Sequence, residues 1–168
     1  MRSRILLVAF CMLVPVIGLA QGGSNAPPIE GVWRITRIVT TGANAATTAA
    51  PQPSLVIFAR GHYSYLSVNS SQPRPDVAPA KVPNKLTDAE KLARYEMWNP
   101  FTAQSGTYEI KGSSLTRRPV VAKNVNVMTT NPPIVQEFTV QGDTLVLVTK
   151  SAAGQPTSET RTTLTRVR

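Results

Sequence analysis

Apolar and polar residues alternate with a period of two through most of this chain, and short glycine turns break the alternation. The pattern predicts eight strands: Val32–Thr41, Leu55–Ala59, His62–Val68, Gly106–Ile110, Ser114–Val121, Ile134–Gln141, Thr144–Thr149 and Glu159–Val167. One helix interrupts them. Thr87-Asp88-Ala89-Glu90 is a capping box, with Thr87 as the N-cap and Glu90 reaching back to it. The helix is expected to run to about Trp98, because Asn99 precedes Pro100 and that pair disfavours continuation.

The links between strands carry topology. Arg60-Gly61, Lys111-Gly112-Ser113 and Gln141-Gly142-Asp143 are tight hairpin turns. Between them lie long links, at Gly42–Pro53, Asn69–Gln104, Ala122–Pro133 and Lys150–Ser158. Short and long alternate strictly, so an up-and-down meander places every tight turn at one end and every long loop at the other. The expected fold is all-β: an eight-stranded antiparallel up-and-down barrel, with one short helix between the third and fourth strands. Such a barrel has an interior just wide enough for packed side chains or one small ligand. The tight-turn end should be closed and the long-loop end should be the mouth.

The first twenty residues read differently. Arg2 and Arg4 precede an apolar run from Ile5 to Leu19, and Gly18-Leu19-Ala20 supplies small residues for a signal peptidase. The run is shorter than the roughly 20 apolar residues of a membrane span. Phe10 stands before Cys11 where a lipid-modified cysteine wants a small residue. Residues 1–20 are therefore expected to be a cleaved signal peptide, 21–29 a flexible lead-in, and 30–168 one barrel domain. Export to the periplasm or beyond follows, with no integral membrane span.

Removing Cys11 with the signal leaves a domain free of cysteine, without disulfides or thiol chemistry. Losing Arg2 and Arg4 as well takes the formal charge from +9 to +7. Arg117-Arg118 is the only adjacent basic pair, and basic runs interleaved with aromatics are missing, which argues against a nucleic-acid partner. A diffuse basic surface instead suits an anionic envelope surface as a bulk tendency.

Several stretches add a resemblance. Gly31-Val32-Trp33 looks like the G-x-W that opens the first lipocalin strand, and Leu164-Thr165-Arg166-Val167 looks like the last strand. With "VIFARGHYS", "QPRPD", "NPFTAQSGTYEI" and "LTRRPVVAKNVNVM", the chain resembles the lipocalin-like domains, in particular a group of exported bacterial ones, from about Gly31 to Val167. It lacks the threonine-aspartate-tyrosine motif of typical lipocalins. The resemblance implies a lipocalin-like barrel in which Arg166 packs on Trp33; it brings no particular ligand or reaction. Geometry points the same way, since the start of the first strand and the end of the last both lie at the closed end. The alternative leaves Trp33 in the core and Arg166 in solvent.

Candidate chemistry is sparse. His62 is the only histidine, so a metal site lacks ligands, and its place just after the Arg60-Gly61 turn suits a structural role at a hairpin. The proline-rich stretch from Asn69 to Leu86 precedes the helix at the mouth, where long ordered loops often bind. Trp98 and Phe101 can present aromatic surface there, with Arg74, Arg118 and Lys123 as cations for an amphipathic anion. The plainer reading has Trp98 and Phe101 pinning the helix while the cations are solvated. If Trp33 faces inward, strict alternation carries Ile35, Arg37 and Val39 inward too. A buried Arg37 needs a partner, either a ligand carboxylate or Glu109 or Glu137. A bulge would turn it outward.

Three functions remain open. The first is a non-catalytic barrel binding a small hydrophobic or amphipathic anion, with no catalytic residue, cofactor or metal. The second is a barrel-type isomerase or cyclase, which needs Glu109, Glu137, His62 or a tyrosine inside the cavity. The third is an envelope interaction module using the basic surface.

Overall fold

The computed structural model describes residues 28–82, 84–129 and 133–168; the expected signal peptide and most of the lead-in lie outside them. The elements run β1 (Gly31–Gly42), β2 (Ala46–Thr48), β3 (Leu55–Ala59), β4 (His62–Val68), α1 (Asp88–Trp98), β5 (Phe101–Lys111), β6 (Ser114–Ala122), α2 (Asn126–Thr129), β7 (Ile134–Gln141), β8 (Thr144–Lys150) and β9 (Ser158–Arg166). Successive long strands pair antiparallel, and β1 closes the ring by pairing with β3 on one side and β9 on the other. The result is a closed eight-stranded barrel, as the alternation of short and long links predicts.

Two small elements were not foreseen. β3 covers only the lower part of β1, from Gly31 to Trp33, and β2 pairs with the upper part at Ile38–Thr40. α2 is a single turn after β6. α1 begins and ends as its caps demand: Glu90 N donates to Thr87 Oγ1 at 3.3 Å, and Thr87 N donates to Glu90 Oε2 at 2.8 Å.

The β5 strand starts at Phe101, earlier than expected, because residues through Ser105 stay in register with β4. Gly106 is not a strand start but a point of close approach. The β5–β6 register slips there, Val120 being the extra residue, and a Cβ on Gly106 would lie 2.0 Å from the Arg118 carbonyl oxygen.

Inward positions grade from apolar at the tight-turn end to polar at the long-loop end. Leu115 gives way to Arg117 along β6, Phe138 to Gln136 on β7, Leu147 to Thr149 on β8, and Leu164 to Thr162 on β9. Below that level Trp33, Ile35, Val56, Phe58, Tyr63, Tyr108 and the leucines fill the barrel solidly. Their burial supplies the hydrophobic drive, roughly 1.5–3 kcal/mol for each large side chain.

The closed end is plugged by residues that the sequence reading put partly in the lead-in. Ile29 is fully buried, and its carbonyl accepts from Trp33 Nε1 at 2.8 Å. Glu30 accepts from the Tyr108 hydroxyl (3.2 Å) and the Arg60 amide (2.8 Å) through Oε1. Over them the Arg166 guanidinium lies 4.1 Å from the Trp33 ring centre.

Candidate functional site

At the long-loop end the barrel opens into a cavity of about 540 Å³. Ile38, Tyr65, Gln136, Thr149, Thr160 and Thr162 form its strand walls, while Thr48, Pro51 and Val68 to Ser71 form its lip. Two other hollows, of about 490 and 400 Å³, sit among the β8–β9 loop and beside the end of α1, away from the interior.

Arg117 lies behind this cavity, stacked against one of its wall residues. It is only 3% exposed, and its guanidinium carbon lies 5.1 Å from the Tyr63 ring centre and 5.2 Å from that of Tyr65. Nε and Nη1 are buried without a hydrogen-bond partner, and among the described residues no carboxylate pairs with it. A buried charge in that state is expensive. Two cation–π contacts, each about 0.5–2 kcal/mol, offset only part of the cost. Burial pulls the Arg117 pKa down, with the phenols of Tyr63 and Tyr65 opposing the shift. Arginine nonetheless keeps its charge in proteins. Burial also raises Tyr63 and Tyr65, so both phenols stay protonated and available as donors at neutral pH.

Gln136 is the second unusual wall residue. It is buried, its Nε2 donates to Thr149 Oγ1 at 2.7 Å, and its Oε1 has no partner. Leu115 faces Gln136 across the β6–β7 ladder, which makes Arg117 and Gln136 diagonal neighbours on the inner face.

The residues proposed from sequence fall elsewhere. Arg37 is exposed: the β1–β9 register shifts between Ile35 and Arg37, Thr36 is the extra residue, and Ile38 takes the inward place. The alternation therefore skips Arg37 and resumes one residue later. Arg118 is also exposed, because β6 turns its odd-numbered side chains inward at Leu115 and Arg117. Arg74, Trp98, Phe101 and Lys123 do come together, but as a cluster on the rim and not on the cavity wall. Arg74 lies 5.1 Å over the Phe101 ring, and Trp98 meets Phe101 edge-on at 5.6 Å. Lys123 Nζ donates to the carbonyls of Trp98 and Asn99 (3.1 Å to the latter), tying down the C-terminal end of α1. The floor residues Gly31, Trp33 and Arg166 meet at the closed end, where a Cβ on Gly31 would lie 2.3 Å from Arg166 Nη1.

Arg117 was missed, although its signal was present. With Leu115 facing the core, period two puts Arg117 inside and Arg118 outside.

Of the groups that could serve an isomerase, the carboxylates and the histidine face away from the cavity, while Tyr65 lines it. Glu109, Glu137 and His62 are all exposed. Glu137 pairs with Lys150 at 2.8 Å, and His62 Nδ1 lies 3.1 Å from the Arg60 carbonyl in its hairpin. Among the described residues no group of three His, Cys, Asp or Glu side chains gathers for a metal, and no helix is long and apolar enough to cross a membrane. No family model matches the chain, and no curated protein matches it in sequence.

Proposed function

We propose that this chain is an exported, lipocalin-like barrel that binds one small amphipathic anion in its mouth cavity and does no chemistry on it. The observation that carries the reading is Arg117: a guanidinium under the cavity, buried, charged and unmatched by any carboxylate of the described residues. An anion at the cavity floor supplies the missing countercharge in a place water screens poorly. Tyr65 and Gln136 line that floor, Tyr65 stacked on the guanidinium and Gln136 its diagonal neighbour on the inner face. The apolar body of the ligand then lies against Ile38, Pro51 and Val68. A cavity of about 540 Å³ is the size of an ordinary small-molecule site. The wall offers hydroxyls, amides and the Tyr65 phenol, the one general acid or base candidate it holds, and neither carboxylate nor imidazole.

The test is competition against a fluorescent anion, 1-anilinonaphthalene-8-sulfonate, by octanoate and by its neutral counterpart octanol. Octanoate should displace the dye at least tenfold better than octanol. Arg117→Met should remove that preference, and Arg37→Ala or Arg118→Ala should leave it in place. Equal competition by the acid and the alcohol would overturn the reading.

A further inference from the structure

The two flanks of the mouth cavity differ in chemistry, and the difference bears on what the ligand must carry. On the β1–β4 side the wall is mixed, Ile38 and Val68 standing with Thr48 and the Tyr65 phenol. On the β7–β9 side it is a continuous polar strip of Gln136, Thr149, Thr160 and Thr162. An unsubstituted alkyl or aryl acid would satisfy the apolar side chains. On the polar flank Thr149 and Thr160 already bond to Gln136 Nε2 and Thr40 Oγ1, but Gln136 Oε1 would be left without a partner. A buried polar group left unpaired on binding weakens the complex, so the strip favours a ligand with a polar edge.

The strip also says which polar group. Gln136 is 8% exposed and lines the cavity, and its Oε1 is an acceptor with no donor. Its Nε2 is already committed to Thr149 Oγ1 at 2.7 Å. The amide is oriented with its negative end free on the inner face it shares with the Arg117 guanidinium. The reverse orientation would turn the positive end of the amide dipole toward the same region as the fixed cation. Covered and without a donor, beside the part of Gln136 that lines the cavity, the oxygen calls for a donor from whatever binds there.

We propose that the ligand is a hydroxylated carboxylic acid, its carboxylate over Arg117 and its hydroxyl donating to Gln136 Oε1, with the apolar side of its body on the β1–β4 flank. The proposal rests on the anion-binding reading and narrows it to a class. The pairing is complementary: the cation takes the acceptor end of the ligand and the amide oxygen takes the donor.

Rigid aromatic acids test this directly. Benzoate, the three hydroxybenzoates and their three methyl ethers are titrated against bound 1-anilinonaphthalene-8-sulfonate. At least one hydroxybenzoate should bind about tenfold tighter than benzoate, the upper range of one added hydrogen bond. Its methyl ether, which accepts but cannot donate, should do no better than benzoate. In Gln136→Leu the hydroxyl advantage, taken as the ratio of hydroxybenzoate to benzoate affinity within that variant, should shrink to within twofold. A thermal melt of that variant checks its fold, and the ether comparison in the unaltered protein needs no variant at all. Equal binding of ether and phenol overturns the proposal, as does a hydroxyl preference that survives Gln136→Leu. In both cases benzoate still displaces the dye, so the anion reading stands. If no acid competes, both fall together.

Discussion

The Arg166 guanidinium lies 4.1 Å above the Trp33 ring, and both side chains are tied to residues 28–30, the segment that enters the barrel. Arg166 Nη1 donates to the Glu30 carbonyl at 2.7 Å and Nη2 to that of Pro28 at 3.2 Å. One arginine on the last strand thus holds the first strand, its indole and the incoming chain. Arg166→Met keeps the aliphatic stem but removes the charge and both donors. It should cost about 2 kcal/mol, lowering the melting temperature by roughly 4–8 °C. Because this contact is at the closed end, affinity for octanoate should stay within twofold. A binding loss as large as that of Arg117→Met would show that the floor and the mouth are not separable.

Gly106 offers a second stability test on a different mechanism. Its backbone sits where the β6 irregularity brings a carbonyl against it, with the Arg118 oxygen 2.0 Å from where a Cβ would be. The obstacle is backbone, which gives way only if the two strands part. Gly106→Ala should therefore destabilise by about 1–3 kcal/mol, measured as a drop in the urea midpoint. By contrast Gly112→Ala, with nothing within 4 Å of its Cβ, should suffer only the strain of its φ of +58°.

Legibility follows a simple division. The barrel could be read because loop lengths and period-two patterning are local properties, and the capping box around Thr87 and Glu90 is a four-residue signal that tertiary contacts did not alter. Interior side chains were harder, since inward or outward depends on an unbroken count along each strand. One extra residue at Thr36 was enough to exclude Arg37 and admit Ile38. On β6 the count runs unbroken from Leu115 through Arg117 and slips only beyond it, so that arginine was legible and merely overlooked. The rim cluster of Arg74, Trp98, Phe101 and Lys123 was foreseeable as a group. Its use as a clamp on α1 depends on Lys123 finding two helix-end carbonyls, which no spacing announces.

Acid should melt α1 before it melts the barrel. The helix has no buried residue, so its start depends on the box at Thr87. The Glu90 carboxylate accepts from the Lys81 and Thr87 amides and the Thr87 hydroxyl, the Lys81 amide contributing most, and is held down to about 2. Its folded pKa is below the ordinary carboxylate range. Its support is therefore complete above about pH 4.5 and is lost as pH falls through about 2. Carbon chemical shifts of residues 88–98, followed from pH 6 to 1.5, should report helix loss with a midpoint near 2 while the strand shifts hold. Glu90→Ala should fray the helix already at pH 6. Helical shifts that persist at pH 1.5 would count against the cap as its main support.

Replacing Arg117 should move stability and binding in opposite directions. In the core a large-to-small change costs stability because it opens a cavity. Methionine differs here: it keeps much of the arginine's length, removes a charge that lacks a carboxylate partner, and leaves no orphaned donor behind. Breaking the contacts with Tyr63 and Tyr65 subtracts part of the gain. The balance favours the variant by about 1–2 kcal/mol, within the range seen when buried ionic groups are replaced by apolar ones. Arg117→Met should thus raise the melting temperature by roughly 2–8 °C while octanoate affinity falls at least tenfold. A residue kept for the fold would lose stability on replacement. If Arg117→Met both destabilises the barrel and leaves octanoate binding intact, the arginine is a structural member and the cavity's anion reading loses its support.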